Sequence, residues 1–438
     1  MFGLPKVATA PFCPSEVRGS VAIAPGATTG AKLARFVGPG LLIAVGYMDP
    51  GNWATDIEAG SRYGYSLLFV VVLSGLAGMV LQYLAAKLGI AAGRDLARLS
   101  REHYPPRVNA VLWILAELSI VACDLAEVLG GALAFHLLLG VSLPLGVGLT
   151  ALDTFIVLGL KGQKFRELEA IVLGLVLTIT VAFVIELWFS QPHWPAVAAG
   201  LVPSWDAVKG AEPLYLAVGI LGATVMPHNL YLHSSIVQTR VVADTPAAKA
   251  EAVRFLGLDS TLSLVIAMGV NAAILMVAAA AFNSHGHHDV TDIQDAYRLL
   301  EPVLGSAVAP ILFAVALLAS GQNSTFTGTV AGQVILEGFL DLDIPCWLRR
   351  LITRSLALVP ALAGVLWLGD RGVGVLLVAS QVVLSLQLPF ALWPLMRFTG
   401  DRAVMGGLAN GVVLRLVGWA LFAVIVAANL FLLVQMLA

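Results

Sequence analysis

Residues 46–52 read Gly-Tyr-Met-Asp-Pro-Gly-Asn and lie within a long apolar run. Pro50 removes a backbone donor and clashes with the turn before it. Gly51 adds backbone freedom, and the acid Asp49 stands beside both. A second interruption occurs at 222–229, Gly-Ala-Thr-Val-Met-Pro-His-Asn, where Pro227 again breaks an apolar run beside polar groups. One such proline is an ordinary kink. Two of them, each with polar neighbours and with Met48 and Met226 separated by 178 residues, mark matching places in two halves of a chain. That is the sequence sign of a transporter binding site at the bilayer midplane.

The composition agrees with a membrane setting. The 438-residue chain is 59% hydrophobic and 12% charged, against about 25% charged in soluble domains, so lipid has to solvate much of the exterior. Eleven stretches are apolar enough to cross a bilayer as helices: 36–60, 65–90, 108–136, 143–160, 168–189, 212–238, 255–283, 302–330, 348–367, 371–396 and 412–436. They are too long and too uniformly apolar for the alternating strands of a β-barrel. With the N-terminus inside, 21 of the 25 Lys and Arg residues fall on the inner side, leaving only Arg62, Lys209, Arg298 and Arg371 outside. This positive-inside asymmetry predicts a cytoplasmic N-terminus and an extracytoplasmic C-terminus.

The breaks sit in the first and sixth segments. Segments one to five (about 36–190) and six to ten (about 211–397) then form two units of five, with 412–436 as an additional helix. Five is odd, so consecutive units face opposite ways and the repeat is inverted. The reading is an all-α membrane protein with one transmembrane domain over 36–438, preceded by a flexible tail at 1–35. That tail lacks the apolar core of a signal peptide. Cys13, Cys123 and Cys346 are too far apart for a disulfide framework or a thiolate zinc site and read as small packing residues.

The groups gathered at the breaks suggest a cation. Asp49 offers a carboxylate, Asn52 an amide oxygen and Met226 a thioether, with the Gly46 and Ala223 carbonyls one turn before each break as further ligands. Oxygen alone would suit Mg²⁺ or Ca²⁺. A soft thioether favours Mn²⁺, Fe²⁺ or Cd²⁺ instead and discriminates against the abundant hard ions. Gln381, in the tenth segment, can turn its amide toward the same cavity, with Gln387 deeper along that helix.

Asp49-Pro50-Gly51-Asn52 and Met226-Pro227-His228-Asn229 resemble the two signatures of the Nramp family of divalent-metal transporters. The likeness extends through Met48 to Tyr65, Asp124-Leu-Ala-Glu127, Tyr231-Leu-His-Ser234 and Trp347-Leu-Arg-Arg350, and covers essentially 35–438. The resemblance implies a LeuT-type fold of eleven helices and proton-coupled metal import. By motif position it makes Asp49, Asn52, Met226 and the Gly46 and Ala223 carbonyls metal ligands, joined in some states by Gln381. Ala often stands where this chain has Gly46, a mild departure because the ligand there is a carbonyl. Magnesium-transporting relatives lack the Met, so Met226 speaks against that branch.

The third segment carries Glu117, Asp124 and Glu127 along one helical face. Acids inside a span are functional by default, and a row of them can pass protons. Arg349, Arg350, His228 and His233 are the expected partners, and the resemblance assigns the proton route to Asp49 and His228, then Asp124 and Glu127, then the inner arginine. A structural salt-bridge network between the third and ninth segments is the competing reading of these charges. The outer cluster His285, His287 and His288 reads as a polar loop or a metal-gathering site.

A sodium-coupled organic-solute transporter would use similar half-helix ends, but Asp49 would repel a substrate carboxylate. A zinc hydrolase is excluded by spacing, since His228 and His233 are five apart and no metalloprotease motif occurs. A passive metal channel differs only in coupling. The expectation is therefore a transporter rather than an enzyme, in a bacterial plasma membrane. Its substrates are Mn²⁺, Fe²⁺ or Cd²⁺ and protons. No resident cofactor, nucleic-acid partner or obligate protein partner is expected, consistent with a monomer.

Overall fold

The computed structural model describes residues 18–23, 26–159, 165–341, 346–369 and 372–437. They form an assembly of helices: α1 (Thr29–Phe36), α2 (Pro39–Gly46), α3 (Pro50–Tyr63), α4 (Leu68–Ala92), α5 (Leu96–His103), α6 (Pro106–Leu139), α7 (Leu143–Gly159), α8 (Phe165–Ser190), α9 (Trp194–Gly200), α10 (Ala211–Val225), α11 (Pro227–Ile236), α12 (Pro246–Ala281), α13 (Ile293–Leu304), α14 (Val308–Leu340), α15 (Cys346–Leu368), α16 (Gly372–Gly400), α17 (Arg402–Met405) and α18 (Val412–Leu437). Among the described residues the expected apolar runs fall on these helices, the first and sixth on interrupted pairs and 302–330 divided at Gly305 between α13 and α14. Among the described residues, seven helices are long and apolar enough to span a bilayer, or eight when the first interrupted pair counts as one span.

Local sequence explains the ends. Pro50 and Pro246 occupy first-turn positions, where a missing N–H costs nothing, and the Asp49 and Thr245 side chains cap the helices they open. Gly93 and Gly140 end α4 and α6 in the left-handed conformation, at φ 62° and 68°, which favours glycine.

Both interrupted helices are enclosed by long ones. α2 and α3 rest on α12, α10 lies against α16 and α4, and α11 against α4 and α14. α18 packs on α16 and α10 at the periphery, with Val412, Val413, Leu416 and Val424 exposed along it, as a lipid-facing helix requires. Trp188, Trp194, Trp205 and Trp367 are exposed near helix ends. In the expected alternation all four fall on the outer side, where indole rings favour the interface.

The N-terminal end of α2 is held by charge. Both Asp259 oxygens accept backbone N–H groups, from Gly38 at 3.1 Å and Gly40 at 2.7 Å, and so satisfy donors that a helix start leaves orphaned. The fully buried Arg240 guanidinium pairs with Glu169 at 2.8 Å and donates to the carbonyls of Arg35 and Val37. Part of the stretch read from sequence as a flexible tail is also fixed. Gly19 N and Val21 N donate to Gln238 O and Thr239 O, each at 2.9 Å, and Val241 N donates back to Val21 O at 3.0 Å. Phe36 of α1 stacks on Phe255 at 5.3 Å between centroids. An extended segment meeting another extended segment pairs through its backbone, whatever its side chains.

Small residues allow the close approaches in the interior. A Cβ at Gly89 of α4 would overlap the Ser234 carbonyl oxygen of α11. Gly89→Val should therefore separate these helices and destabilise the protein by about 1–3 kcal/mol or more. Thermal unfolding of the detergent-solubilised protein reads this directly, and an unchanged midpoint would contradict the packing.

Candidate functional site

The two breaks share one device. Within an α-helix the carbonyl of residue i accepts from the N–H of residue i+4. For Gly46 that residue is Pro50, and for Ala223 it is Pro227. Neither proline has an N–H, so one carbonyl in each half of the chain is released from its helix. Tyr47 and Met48 continue as a tight turn, and Asp49 then extends at φ −70°, ψ 166° to open α3. The resulting bend between the two halves is 54°. In the second break Met226 takes φ 31°, ψ 106°, a positive φ that is uncommon outside glycine.

The released carbonyls converge on one point. Asn52 Nδ2 donates to Ala223 O at 3.0 Å, Gly46 O at 3.3 Å and Asp49 Oδ1 at 2.7 Å. The positive end of an amide dipole thus sits among three oxygens contributed by both breaks. Asn271 of α12 holds that orientation, its Nδ2 donating to Asn52 Oδ1 at 3.2 Å and to Tyr47 O at 2.8 Å. The Met48 carbonyl accepts from Trp53 Nε1 at 3.2 Å and Ser320 Oγ at 2.5 Å. Trp53 itself is clamped between Phe183 and Phe313. Asp49 is fully buried, and its Oδ2 has no hydrogen-bond partner among the described residues.

Met226 is buried against Ala122, Cys123 and Leu384, and its Sδ receives Asn229 Nδ2 at 3.6 Å. Asn229 in turn lies so close to Gly46 that a Cβ there would overlap it, which ties the second break to the first. Gln381 reaches the first break: a Cβ on Gly51 would overlap its Nε2. That nitrogen donates to Ser380 Oγ at 2.9 Å, while Oε1 has no partner among the described residues. Asp49, Asn52, Gly46, Ala223, Met226 and Gln381 therefore all belong to the two breaks or touch them. No group of three His, Cys, Asp or Glu side chains among the described residues forms a metal cage. The donor set here is instead one carboxylate, amides, backbone carbonyls and a thioether.

The acids of α6 lie beside this site. Asp124 and Glu127 are buried and face Gly328 of α14, where a Cβ would stand 2.7 Å from Glu127 Oε1 and 3.0 Å from Asp124 Oδ1. Cys123 joins them to the second break, its Sγ 3.4 Å from Glu127 Oε1 and 3.5 Å from His228 Nε2. Glu117 sits farther along, half-buried, and accepts from Trp113 Nε1 at 3.0 Å. His233 is placed elsewhere: its Nδ1 lies 3.0 Å from Gln82 Oε1 on α4, because five residues' separation turns it away from His228. The side chains of Arg349 and Arg350 lie outside the described residues. His288 of the outer cluster meets Asn283 at 3.1 Å.

Three buried side chains at or beside the site were not singled out from the sequence. Asn271 is an isolated amide in an apolar helix, a signal that was available. Asp56, buried seven residues after Asp49, repeats its helical face. Cys123 offers no spacing signal and was read as packing.

Comparison with known proteins identifies the family. The chain is 68% identical over 435 residues to a divalent metal cation transporter, MntH, of Ralstonia nicotianae, covering 99% of this chain and 98% of that one. It superposes on the crystal structure of the Eremococcus coleocola manganese transporter in complex with an aromatic bis-isothiourea substituted compound, with a TM-score of 0.89 and 41% identity, covering 96% of this chain and 90% of the other. Mhp1, a nucleobase-cation-symport-1 family transporter in a closed conformation, matches with a TM-score of 0.63 at 15% identity over 99% of this chain and 93% of that one. That likeness shows the shared LeuT-type fold alone. The profile of the natural resistance-associated macrophage protein-like family matches residues 40–435, and the chain belongs to the Nramp family.

Proposed function

We propose that this chain, a multi-pass divalent metal cation transporter of the Nramp family, imports Mn²⁺ into the cytoplasm together with protons, and also accepts Fe²⁺ and Cd²⁺. One observation carries the reading. Two carbonyls released by prolines in different halves of the chain meet the buried carboxylate of Asp49 around the Asn52 amide. A dication entering that point is coordinated by Asp49, by the Gly46 and Ala223 carbonyls and by the Asn52 oxygen once the amide turns. Met226, at the second break, supplies the sulfur. The name of the Eremococcus relative supports manganese as the substrate. Gln381 joins as the cavity closes.

Charge balance supplies the coupling. A dication beside Asp49 favours its ionised form and expels a proton. That proton leaves through α6 along Asp124 and Glu127, by a route separate from the metal's, toward the arginines at the inner end of α15. His228 and Cys123 stand between the metal site and that acid pair. The apolar helices support a membrane as the site of action, and the positive-inside asymmetry supports a plasma membrane with the N-terminus cytoplasmic; each molecule works as a monomer in this reading.

Asp49→Ala or Asn52→Ala should lower Mn²⁺ uptake into proteoliposomes on the order of a hundredfold, because a buried cation loses a charged or polar ligand; near-normal uptake by both variants would refute the site. Met226→Ala should keep part of the Mn²⁺ transport, weaken Cd²⁺ competition and admit Ca²⁺ or Mg²⁺, and an unchanged selectivity profile would remove the thioether from the scheme. Asp124→Asn should suppress internal acidification more than Mn²⁺ binding, measured with a trapped pH dye beside metal titration. The reverse ranking would contradict separate routes.

A further inference from the structure

Asp56 is one of the buried carboxylates that the transport scheme leaves unused. It lies seven residues beyond Asp49, so it occupies the same face of α3 about 10 Å farther along the axis, at 1.5 Å per residue. It is 1% exposed, and its Oδ2 has no hydrogen-bond partner among the described residues. The nearest cation on that helix is committed elsewhere: Arg62 pairs with Glu58 at 3.2 Å and Glu212 at 3.7 Å. No ion pair to Asp56 exists among the described residues. An unpaired acid at such depth is costly and marks a functional position.

The helix opposite sharpens its role. Asn52 meets Asn271 of α12, and two turns on, a Cβ at Gly60 would stand 2.5 Å from Leu275 O and 2.8 Å from the Ala278 Cβ. The two helices therefore run alongside one another in parallel, and Asp56, midway between Asn52 and Gly60, faces the turn from Asn271 to Leu275. The Asn271 side chain uses its nitrogen on Tyr47 and Asn52, and its Oδ1 is buried without a partner among the described residues. An unpartnered oxygen on each of two facing helices thus lies within about one turn of the other. Asp49 is close enough for the two carboxylates to act on each other electrostatically.

We propose that Asp56, with the Asn271 amide oxygen, forms a second divalent-cation station one step outward of the Asp49 site, which the metal occupies on its way in. Oxygen-only donors make it a hard site that holds Mn²⁺ weakly and does not discriminate against Ca²⁺, so selection is left to Met226 below it. This rests on the proposed import of Mn²⁺ through Asp49, and the test separates the two. In purified protein titrated calorimetrically with Mn²⁺, Asp49→Ala should retain weak binding that Asp49→Ala/Asp56→Asn lacks. In proteoliposomes Asp56→Asn should raise the Mn²⁺ concentration for half-maximal uptake about tenfold, the loss of one charged contact, and change the maximal rate far less. Asp56→Glu keeps the carboxylate and should restore much of the affinity, which excludes misfolding as the cause. Residual binding that is identical in the single and double variants would overturn the station. So would an Asp56→Asn transporter with unaltered half-saturation, because a neutral amide would then replace what was only a protonated acid. Loss of transport in Asp49→Ala tests the central site independently of either result.

Discussion

Pro50 and Pro227 each withhold one N–H, and the Gly46 and Ala223 carbonyls are left without their intrahelical donors in the interior of an apolar protein. Water cannot stand in for a donor inside a bilayer, so irregular backbone survives there only against protein or around a cavity. The chain meets that demand with side chains from both neighbouring and distant segments. Asn52 covers both released carbonyls, Asn271 covers the Tyr47 carbonyl, and Trp53 and Ser320 cover that of Met48. The donors that make the breaks tolerable also fix where they are. A rigid frame of side chains therefore surrounds the point where Asn52 Nδ2, Asp49 and two carbonyls meet.

That frame is anchored unequally along its length. α3 is fastened by Trp53 between two aromatic rings and by close contact with α12. α2 is in equally close contact with α12, since a Cβ at Gly40 would lie 2.5 Å from the Ser260 backbone, and its N-terminal end is held in addition by ionic and capping contacts: Asp259 on two backbone N–H groups, and Arg240 between Glu169 and the carbonyls of Arg35 and Val37. Directional polar contacts separate as discrete units, whereas interdigitated apolar packing resists sliding. The N-terminal end of α2 thus combines discrete polar contacts with close packing, whereas α3 is held chiefly by packing. The N-terminal segment bonded to Gln238–Val241 lies beside Arg240 in this same region.

Most of this architecture could be read from the residues. Proline and an acid inside an apolar run stand out against any background, so the breaks at Asp49-Pro50 and Met226-Pro227 and the donors beside them were visible directly. The apolar runs were visible as well, because hydropathy over about 20 residues is a strong signal. Contacts across the sequence were not. Asn271 acts on Asn52 across 219 positions, and nothing local announces the pairing. Cys123 looked like filler because its importance comes entirely from Glu127 on its own helix and His228 from another. His233 was grouped with the proton route by residue type, although helical geometry sends it to Gln82. The docking of Gly19 and Val21 uses backbone groups only and so leaves no side-chain signature.

The central claim is that one carboxylate, amide and carbonyl oxygens and one sulfur surround a single transported dication. X-ray absorption spectroscopy of the purified protein loaded with one equivalent of Mn²⁺ examines that shell atom by atom. The account predicts mostly oxygen neighbours and one sulfur in the native protein, with the sulfur signal alone lost in Met226→Ala. A shell of oxygen and nitrogen only, identical in the native protein and in that variant, would contradict it.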